Sequence, residues 1–254
     1  MPNIYLINFN NLKSKLDCEL KMKTTNNEST KDNFIVVPNT HWNALYYQRK
    51  LLLEALLTVE PLVKGNLIDI GCGTQPYRSL FSQVTSYKGV DVSSSCHTLP
   101  PDTLLYDGES IPFPDSSFDW AMATEVLEHA RRPELLLASI YNVLRPGGGF
   151  FLSVPFLAGL HETPNDFRRW TNYGLIDELK KAGFERIEVC PLGNWHSAAA
   201  HFLGAYVTHC KMPWWTKYWF PRLVWLIKNL IAQSNLEVPP TMCIGWFAIA
   251  YKPR

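Results

Sequence analysis

The sequence predicts an α/β domain: a mostly parallel sheet with helices on both faces. Three observations predict it. Short apolar runs alternate with helix-patterned segments through residue 190, the order that folds into parallel strand–helix–strand units. One of these runs, residues 67–70, passes directly into a Gly-x-Gly turn at Gly71 and Gly73, where the backbone can approach a ligand with no Cβ in the way. Finally, 254 residues at 46% hydrophobic and 19% charged supply the core of one domain with modest additions.

The elements follow in order. Residues 40–60 carry Leu45, Leu52, Leu53, Leu56 and Leu57 in an apolar stripe that Pro61 and Gly65 end, so a helix is predicted. Residues 66–71 read as a buried parallel strand. A helix is expected over 77–84 and strands over 87–92, 103–107 and 118–124, the last entered through the turn 114–117. Pro133 opens a helix at its first turn, and Glu134 suits the helix dipole there. Leu136, Ile140, Val143 and Leu144 share one face of it, and the Arg-Pro-Gly-Gly-Gly run 145–149 stops it. Residues 150–154 form a fifth strand. Thr171 caps a helix running to Ala182, which Gly183 terminates. Residues 184–190 and 243–251 are the sixth and seventh strands. No internal repeat is present.

Composition narrows the function classes. Net charge is +1, so nothing global points to nucleic acid. Six cysteines are scattered with no C-x-x-C pair, which predicts reduced thiols in a cytosolic protein rather than a disulfide framework or a zinc site. Residues 1–33 are polar, lack a long apolar core, and read as a disordered tail without a secretory signal, Met22 being an alternative start.

The stretch LIDIGCGTQP, residues 67–76, carries the most chemistry. Asp69 sits just before the Gly71/Gly73 turn. A carboxylate there repels a phosphate and welcomes an ammonium, so a nucleoside-like ligand that is cationic at its other end is expected; S-adenosylmethionine fits. Asp91 ends the second strand, twenty residues after Gly71, where a carboxylate can accept from both ribose hydroxyls. Asp107 and Gly108 follow the third strand and can border a base, or simply form an Asp-Gly turn. After the fourth strand comes Glu125-Val-Leu-Glu128-His129, and Leu144 to Gly149 reads LRPGGG.

Taken together, Leu67 to Tyr77, the 118–129 segment with its Leu-Glu-His ending, and LRPGGG resemble the class I S-adenosylmethionine-dependent methyltransferases, specifically the type 11 group. The resemblance covers about residues 65–190 plus the final strand. It departs at Gln75, which stands where a third glycine is usual, and at Ala130. It implies a Rossmann-like seven-stranded sheet whose last strand inserts antiparallel. It also implies S-adenosylmethionine as cofactor, held by Asp69, Gly71, Gly73, Asp91, Asp107, Gly108 and Glu125.

Catalytic candidates are His129, and His161 and Asp166 in the polar segment after the fifth strand; Arg168 or Arg169 is a candidate to hold an anionic substrate. For His129 a loop-fixing role competes with general-base work. That polar segment resembles a stretch of methyltransferases associated with cell-surface polysaccharide and lipid pathways. Glu125, Glu128 and His129 also fit a Glu-x-x-Glu-His pattern that some methyltransferases use with a divalent ion, with His161 as a further candidate. Most chains with Leu-Glu-His need no metal, and none is expected.

Residues 195–236 differ in character. Five of the nine tryptophans lie here, with Lys211, Lys217, Arg222 and Lys228 and no acidic residue. Pro221 opens a helix to about Gln233. Such a segment suits peripheral contact with an anionic membrane or a lid over a lipid-like acceptor; an apolar cover for the sheet or a dimer contact is the plainer alternative. The expected organisation is a tail over 1–33, a methyltransferase domain over 34–194 and 237–254, and an aromatic, basic helical insertion over 195–236. The expected function is methyl transfer from S-adenosylmethionine to a small-molecule, sugar or lipid-like acceptor, in the cytoplasm or on the inner membrane face. Alternatives are a non-catalytic cofactor-binding scaffold and an NAD-dependent oxidoreductase. Asp69 and Gln75 disfavour the latter.

Overall fold

The computed structural model describes residues 46–209, 219–232 and 241–254. The predicted tail, Cys18, Cys210, Lys211, Trp214, Trp215 and Lys217 lie outside the described residues, as does the expected helix start at 40–45. The strands are β1 (Asn66–Ile70), β2 (Ser86–Val92), β3 (Leu104–Tyr106), β4 (Phe118–Thr124), β5 (Leu144–Pro155), β6 (Glu185–Leu192) and β7 (Gly245–Tyr251). The α-helices are α1 (Tyr46–Val59), α2 (Pro133–Val143), α3 (Asn172–Lys181), α4 (Trp195–His209) and α5 (Phe220–Ala232).

Seven strands form one sheet in the order β3-β2-β1-β4-β5-β7-β6. β1 to β5 pair in parallel, and β7 inserts antiparallel between β5 and β6. The two-residue period of the strands sorts side chains onto two cores. Ile68, Ile70, Ala121, Ala123, Phe150 and Leu152 pack with Leu136, Ile140 and Leu179 on the α2/α3 side. Leu67, Met122, Phe151 and Phe247 pack with Leu52, Leu56 and Phe81 on the α1 side. Both faces are thus covered, as a parallel sheet requires.

Two expectations are corrected. Residues 77–84 form no α-helix; a single 3-10 turn, Arg78–Phe81, carries Phe81 into the core. The LRPGGG run does stop α2, but it already belongs to β5. Phe118 pairs with Leu144 and Trp120 with Gly149, so β4 advances two residues while β5 advances five and the chain bulges outward between. Gly149 is required there because a Cβ would lie 2.2 Å from the Trp120 ring.

The α3 caps follow the sequence signals. Thr171 Oγ1 accepts from the Gly174 N–H at 3.1 Å. At the other end Gly183 takes φ +95°, and the Phe184 N–H reaches the Leu179 carbonyl at 3.1 Å, a left-handed helix stop. Thr171→Ala is expected to cost about 1 kcal/mol in urea unfolding, with Thr171→Ser nearly neutral; equal losses for both would show that the cap bond is not what Thr171 contributes.

Candidate functional site

Sequence neighbours of β1 lie on one side and those of β4 on the other, so the chain order reverses between these two strands. In open α/β sheets the ligand crevice opens at such a point, beyond the carboxyl ends of the strands. Most of the sequence-predicted site residues lie at this edge.

The loop after β1 is left-handed at Gly71 (φ +61°), Gly73 (φ +49°) and Gln75 (φ +55°). A Cβ on Gly71 would stand 2.6 Å from Val126 Cγ2, so the loops leaving β1 and β4 touch at their base. The Gly73 N–H donates to Asp91 Oδ2 at 2.7 Å, and the Val92 N–H to Asp91 Oδ1 at 2.7 Å. Asp91 is 5% exposed, so it is no solvated strand end. It fastens the loop and, with up to four lone-pair sites on the carboxylate, keeps capacity for hydroxyl donors.

Gln75, at the usual glycine position, is buried. Its side chain donates to Thr103 Oγ1 at 3.3 Å and accepts from Arg78 Nη1 at 2.8 Å. Gly89 on β2 makes room for it, since a Cβ there would lie 2.5 Å from Gln75 Nε2 and 2.8 Å from Cys72 Sγ. No α-helix begins behind this loop in residues 71–85, so no helix N-terminus is offered to a pyrophosphate.

Asp69 points to the α1 side, 2% exposed, and accepts from the Tyr87 hydroxyl. Burial pushes its carboxyl up to about 7; the Tyr87 bond opposes this and Asp91 adds to it. A cation binding beside the two acids would favour the ionised form. Asp107 is an exposed turn residue. Its Oδ1 accepts from the Glu109 and Ser110 N–H groups at 2.8 and 2.6 Å, bonds that hold its carboxyl below the usual range. Gly108 takes φ +87° in the same turn.

Across the crevice, Glu125 leaves β4 at φ +56°. Its Oε1 accepts from Ser153 Oγ at 2.7 Å and its Oε2 from Gln48 Nε2 on α1 at 2.5 Å. Both oxygens are therefore engaged within the chain. Glu128 is fully buried, and among the described residues neither of its carboxylate oxygens has a hydrogen-bond partner. Burial first, and then the Glu125 charge, push its carboxyl well above the usual range.

His129 and His161 meet edge to face beside Glu128, ring centroids 4.8 Å apart. Asp166 accepts from the His161 N–H at 3.0 Å and pairs with Arg169, whose Nη2 lies 2.7 Å from Oδ2. The Arg169 bonds hold the Asp166 carboxyl well below the ordinary carboxylate range. An acid so paired suits positioning the 159–169 loop better than proton transfer. Arg168 donates to the Ala130 and Arg131 carbonyls, so it braces that loop against the segment after β4. Neither arginine is placed as a simple anion clamp.

The site thus gathers Asp69, Gly71, Gly73 and Asp91 on one side and Glu125, His129, His161 and Asp166 on the other. His97 and Glu162 link the two sides: His97 Cδ2 lies 3.2 Å from where a Cβ on Gly73 would sit, and Nε2 lies 3.5 Å from Glu162 Oε1. Sequence reasoning missed Gln48, Tyr87, Gly89, Ser153 and Glu162. Two had a signal. Ser153 is a lone hydroxyl in an apolar strand, and Tyr87 shares β-strand parity with Gly89, which pairs with Asp69.

Residues 41–198 match a family model described as a methyltransferase domain. An uncharacterised protein of Methanocaldococcus jannaschii is 27% identical over 161 residues, 58% of this chain and 75% of that one. The O-methyltransferase cnsE of Penicillium expansum is 30% identical over 55% of this chain and 59% of its own length. Further relatives are named for malonyl-acyl-carrier-protein, tRNA carboxymethyluridine and ubiquinone biosynthesis methylation, and the matches span about half the length of these curated relatives. The solved structure of the [4+2]-cyclase SpnF shares the fold, with a TM-score of 0.53 at 22% identity, covering 81% of this chain and 82% of that one.

The Asp166–Arg169 pair generates a pH prediction. The folded Asp166 pKa is depressed, so its contribution to stability is fully present above the unfolded value near 4 and drains away as pH falls through the folded value. Asp166→Asn is expected to cost roughly 2 kcal/mol at pH 7 and to flatten the acid limb of a stability–pH profile. An unchanged acid limb in the variant would refute the pairing.

Proposed function

This chain belongs to the methyltransferase-domain family, and we propose that it carries a methyl group from S-adenosylmethionine to a small-molecule, sugar or lipid-like acceptor. The observation that supports the reading best is the Gly71–Gly73 loop fastened to Asp91 opposite a polar group of His129 and His161. The cradle fits the cofactor: glycines where a side chain would clash, an acid for the ribose hydroxyls at Asp91, and Asp69 behind the loop for an ammonium. Asp107 and Gly108 turn at the end of β3, where an adenine would lie against their backbone. Glu125, its own oxygens engaged, shapes the crevice floor.

S-adenosylmethionine supplies a methyl already activated on sulfonium. The chain then has to align the acceptor, exclude water and, where needed, take up a proton. For that proton the geometry supports the Nε2 atoms of His129 and His161. Asp166 fixes the His161 backbone, and through it the loop. The family makes an NAD-dependent oxidoreductase the poorer reading, and product formation would separate an enzyme from a binding scaffold.

The acceptor class draws on the second part of the chain. Among the described residues no helix is long and apolar enough to cross a membrane. Yet α5 turns Leu223, Leu226, Ile227 and Leu230 outward, a stripe at i, i+3, i+4 and i+7. Trp219, just before α5, and Phe202 on α4 are also exposed, and the two helices pack together. No acidic residue lies between 195 and 236. An outward apolar stripe in a segment with only basic charges suits an anionic lipid surface, and through it a lipid-like acceptor.

Two measurements test this reading. Calorimetry is expected to show binding of S-adenosylmethionine and its demethylated product, with Asp91→Ala weakening it by about 1–3 kcal/mol; no binding to well-folded wild type would sink the proposal. In vesicle flotation, wild type should rise with anionic vesicles at low salt and stay behind at high salt. Replacing Lys217, Arg222 and Lys228 by Glu should abolish flotation and spare cofactor affinity. Wild type that never floats would instead make the helix pair a lid or a contact between copies.

A further inference from the structure

We propose that Glu128, His129 and His161 form a binding site for one divalent ion of the first transition row, zinc-like in its preferences, at the acceptor side of the crevice. One candidate ligand atom from each residue lies within 4.8 Å of the others. His129 Nε2 stands 3.7 Å and His161 Nε2 4.0 Å from Glu128 Oε1. An ion bonded at about 2.1 Å to tetrahedrally placed ligands needs them about 3.4 Å apart, so the two carboxylate–imidazole spans of 3.7 and 4.0 Å have only a few tenths of an ångström to close.

The orientation of the rings makes this a ligand set rather than a chance cluster. His129 Nδ1 lies 2.8 Å from the Asn165 carbonyl. His161 Nδ1 lies 3.1 Å from the Gly159 carbonyl and 3.4 Å from Asp166 Oδ2, with Arg169 Nη2 at 3.5 Å. With the two oxygens nearer than the guanidinium, the proton belongs on Nδ1 of each ring. The free lone pair then falls on Nε2, facing Glu128. Metal-binding histidines are oriented in this way by carbonyl or carboxylate partners.

The decisive group is Glu128. Its carboxylate is fully buried and, among the described residues, has no hydrogen-bond partner on either oxygen, a costly state for a polar group unless something binds it. A proton would neutralise it and still leave it unpaired; a cation would do both. Glu125 stands outside the cluster of candidate ligand atoms, and its two oxygens accept from Ser153 and Gln48. Glu162 is better placed, its Oε2 4.0 Å from His129 Nε2, for a fourth position. Two carboxylates would balance a doubly charged ion, and the nearby Arg169 charge is already matched by Asp166. Two imidazoles with a carboxylate favour zinc, iron or nickel over magnesium or calcium, which prefer all-oxygen sites.

The role of this ion rests on the methyl-transfer reading; its binding does not. An ion there would coordinate an acceptor oxygen and lower its pKa. The imidazole nitrogens would then serve as ligands, not as the proton's destination.

Chelator-treated protein should be titrated by calorimetry with zinc chloride and, separately, magnesium chloride, and the same samples with S-adenosylhomocysteine. The expected result is one zinc per chain and no saturable magnesium binding. His129→Ala, His161→Ala and Glu128→Gln should each weaken zinc at least roughly tenfold, with S-adenosylhomocysteine binding kept as the check on folding. Folded wild type that takes up no zinc overturns the site, as does zinc binding unaltered in those variants that stay folded. Loss of S-adenosylhomocysteine binding in wild type would sink the methyl-transfer reading and leave the metal result standing.

Discussion

The parting of two loops governs this molecule. After β1 the chain turns to β2 on one side, and after β4 it turns to β5 on the other. The loops can stay in contact only at their base, where Gly71 lies against Val126. Above that contact they must separate, and the gap between them is the crevice. Gly71 has no side chain because any would push the two strands apart. The Asp91 carboxylate on the Gly73 N–H then sets how the β1 loop leans, and Ser153 on Glu125 does the same for the β4 loop.

The second organising fact is the concentration of acids at one sheet edge. Asp69, Asp91, Glu125 and Glu128 are all largely withdrawn from water there, and burying a carboxylate without partners is unfavourable. Each of the first three is offset differently: a tyrosine hydroxyl for Asp69, two backbone N–H groups for Asp91, a serine and a glutamine for Glu125. Glu128 has no such offset among the described residues. An edge so rich in buried acids favours a bound cation, which would hold these carboxyls ionised and agrees with a sulfonium- and ammonium-bearing cofactor.

The sheet and its cover were legible from sequence because strand and helix periods differ and the turn chemistry marks the boundaries. Thr171 and Gly183 placed the ends of α3, and the β4 limits could be read outright from the turn before Phe118. Residues 77–84 misled because a Tyr-Arg-Ser-Leu-Phe run has apolar spacing compatible with either one 3-10 turn or a helix. Asp69, Asp91 and the two histidines were legible from strand ends and motif order. Gln48 was not, because its partner is seventy-seven residues away and no local pattern announces a long-range hydrogen bond. Gly89 was hidden for a related reason. Its purpose is to make room for Gln75 and Cys72 on a neighbouring loop, which only the folded register reveals. The orphaned state of Glu128 is likewise a property of packing and cannot be read in a one-dimensional pattern.

The antiparallel placement of β7 has a consequence for how this chain can vary. β6 and β7 are neighbours running in opposite directions, and such a pair can be joined by a turn of about two residues. The α4/α5 pair that joins them here is therefore not needed to close the sheet. Unlike a crossover helix, it can lengthen, shrink or be exchanged while every strand keeps its register. A change in what the protein meets could therefore arise by remodelling this one connection without disturbing the loops that leave β1 and β4.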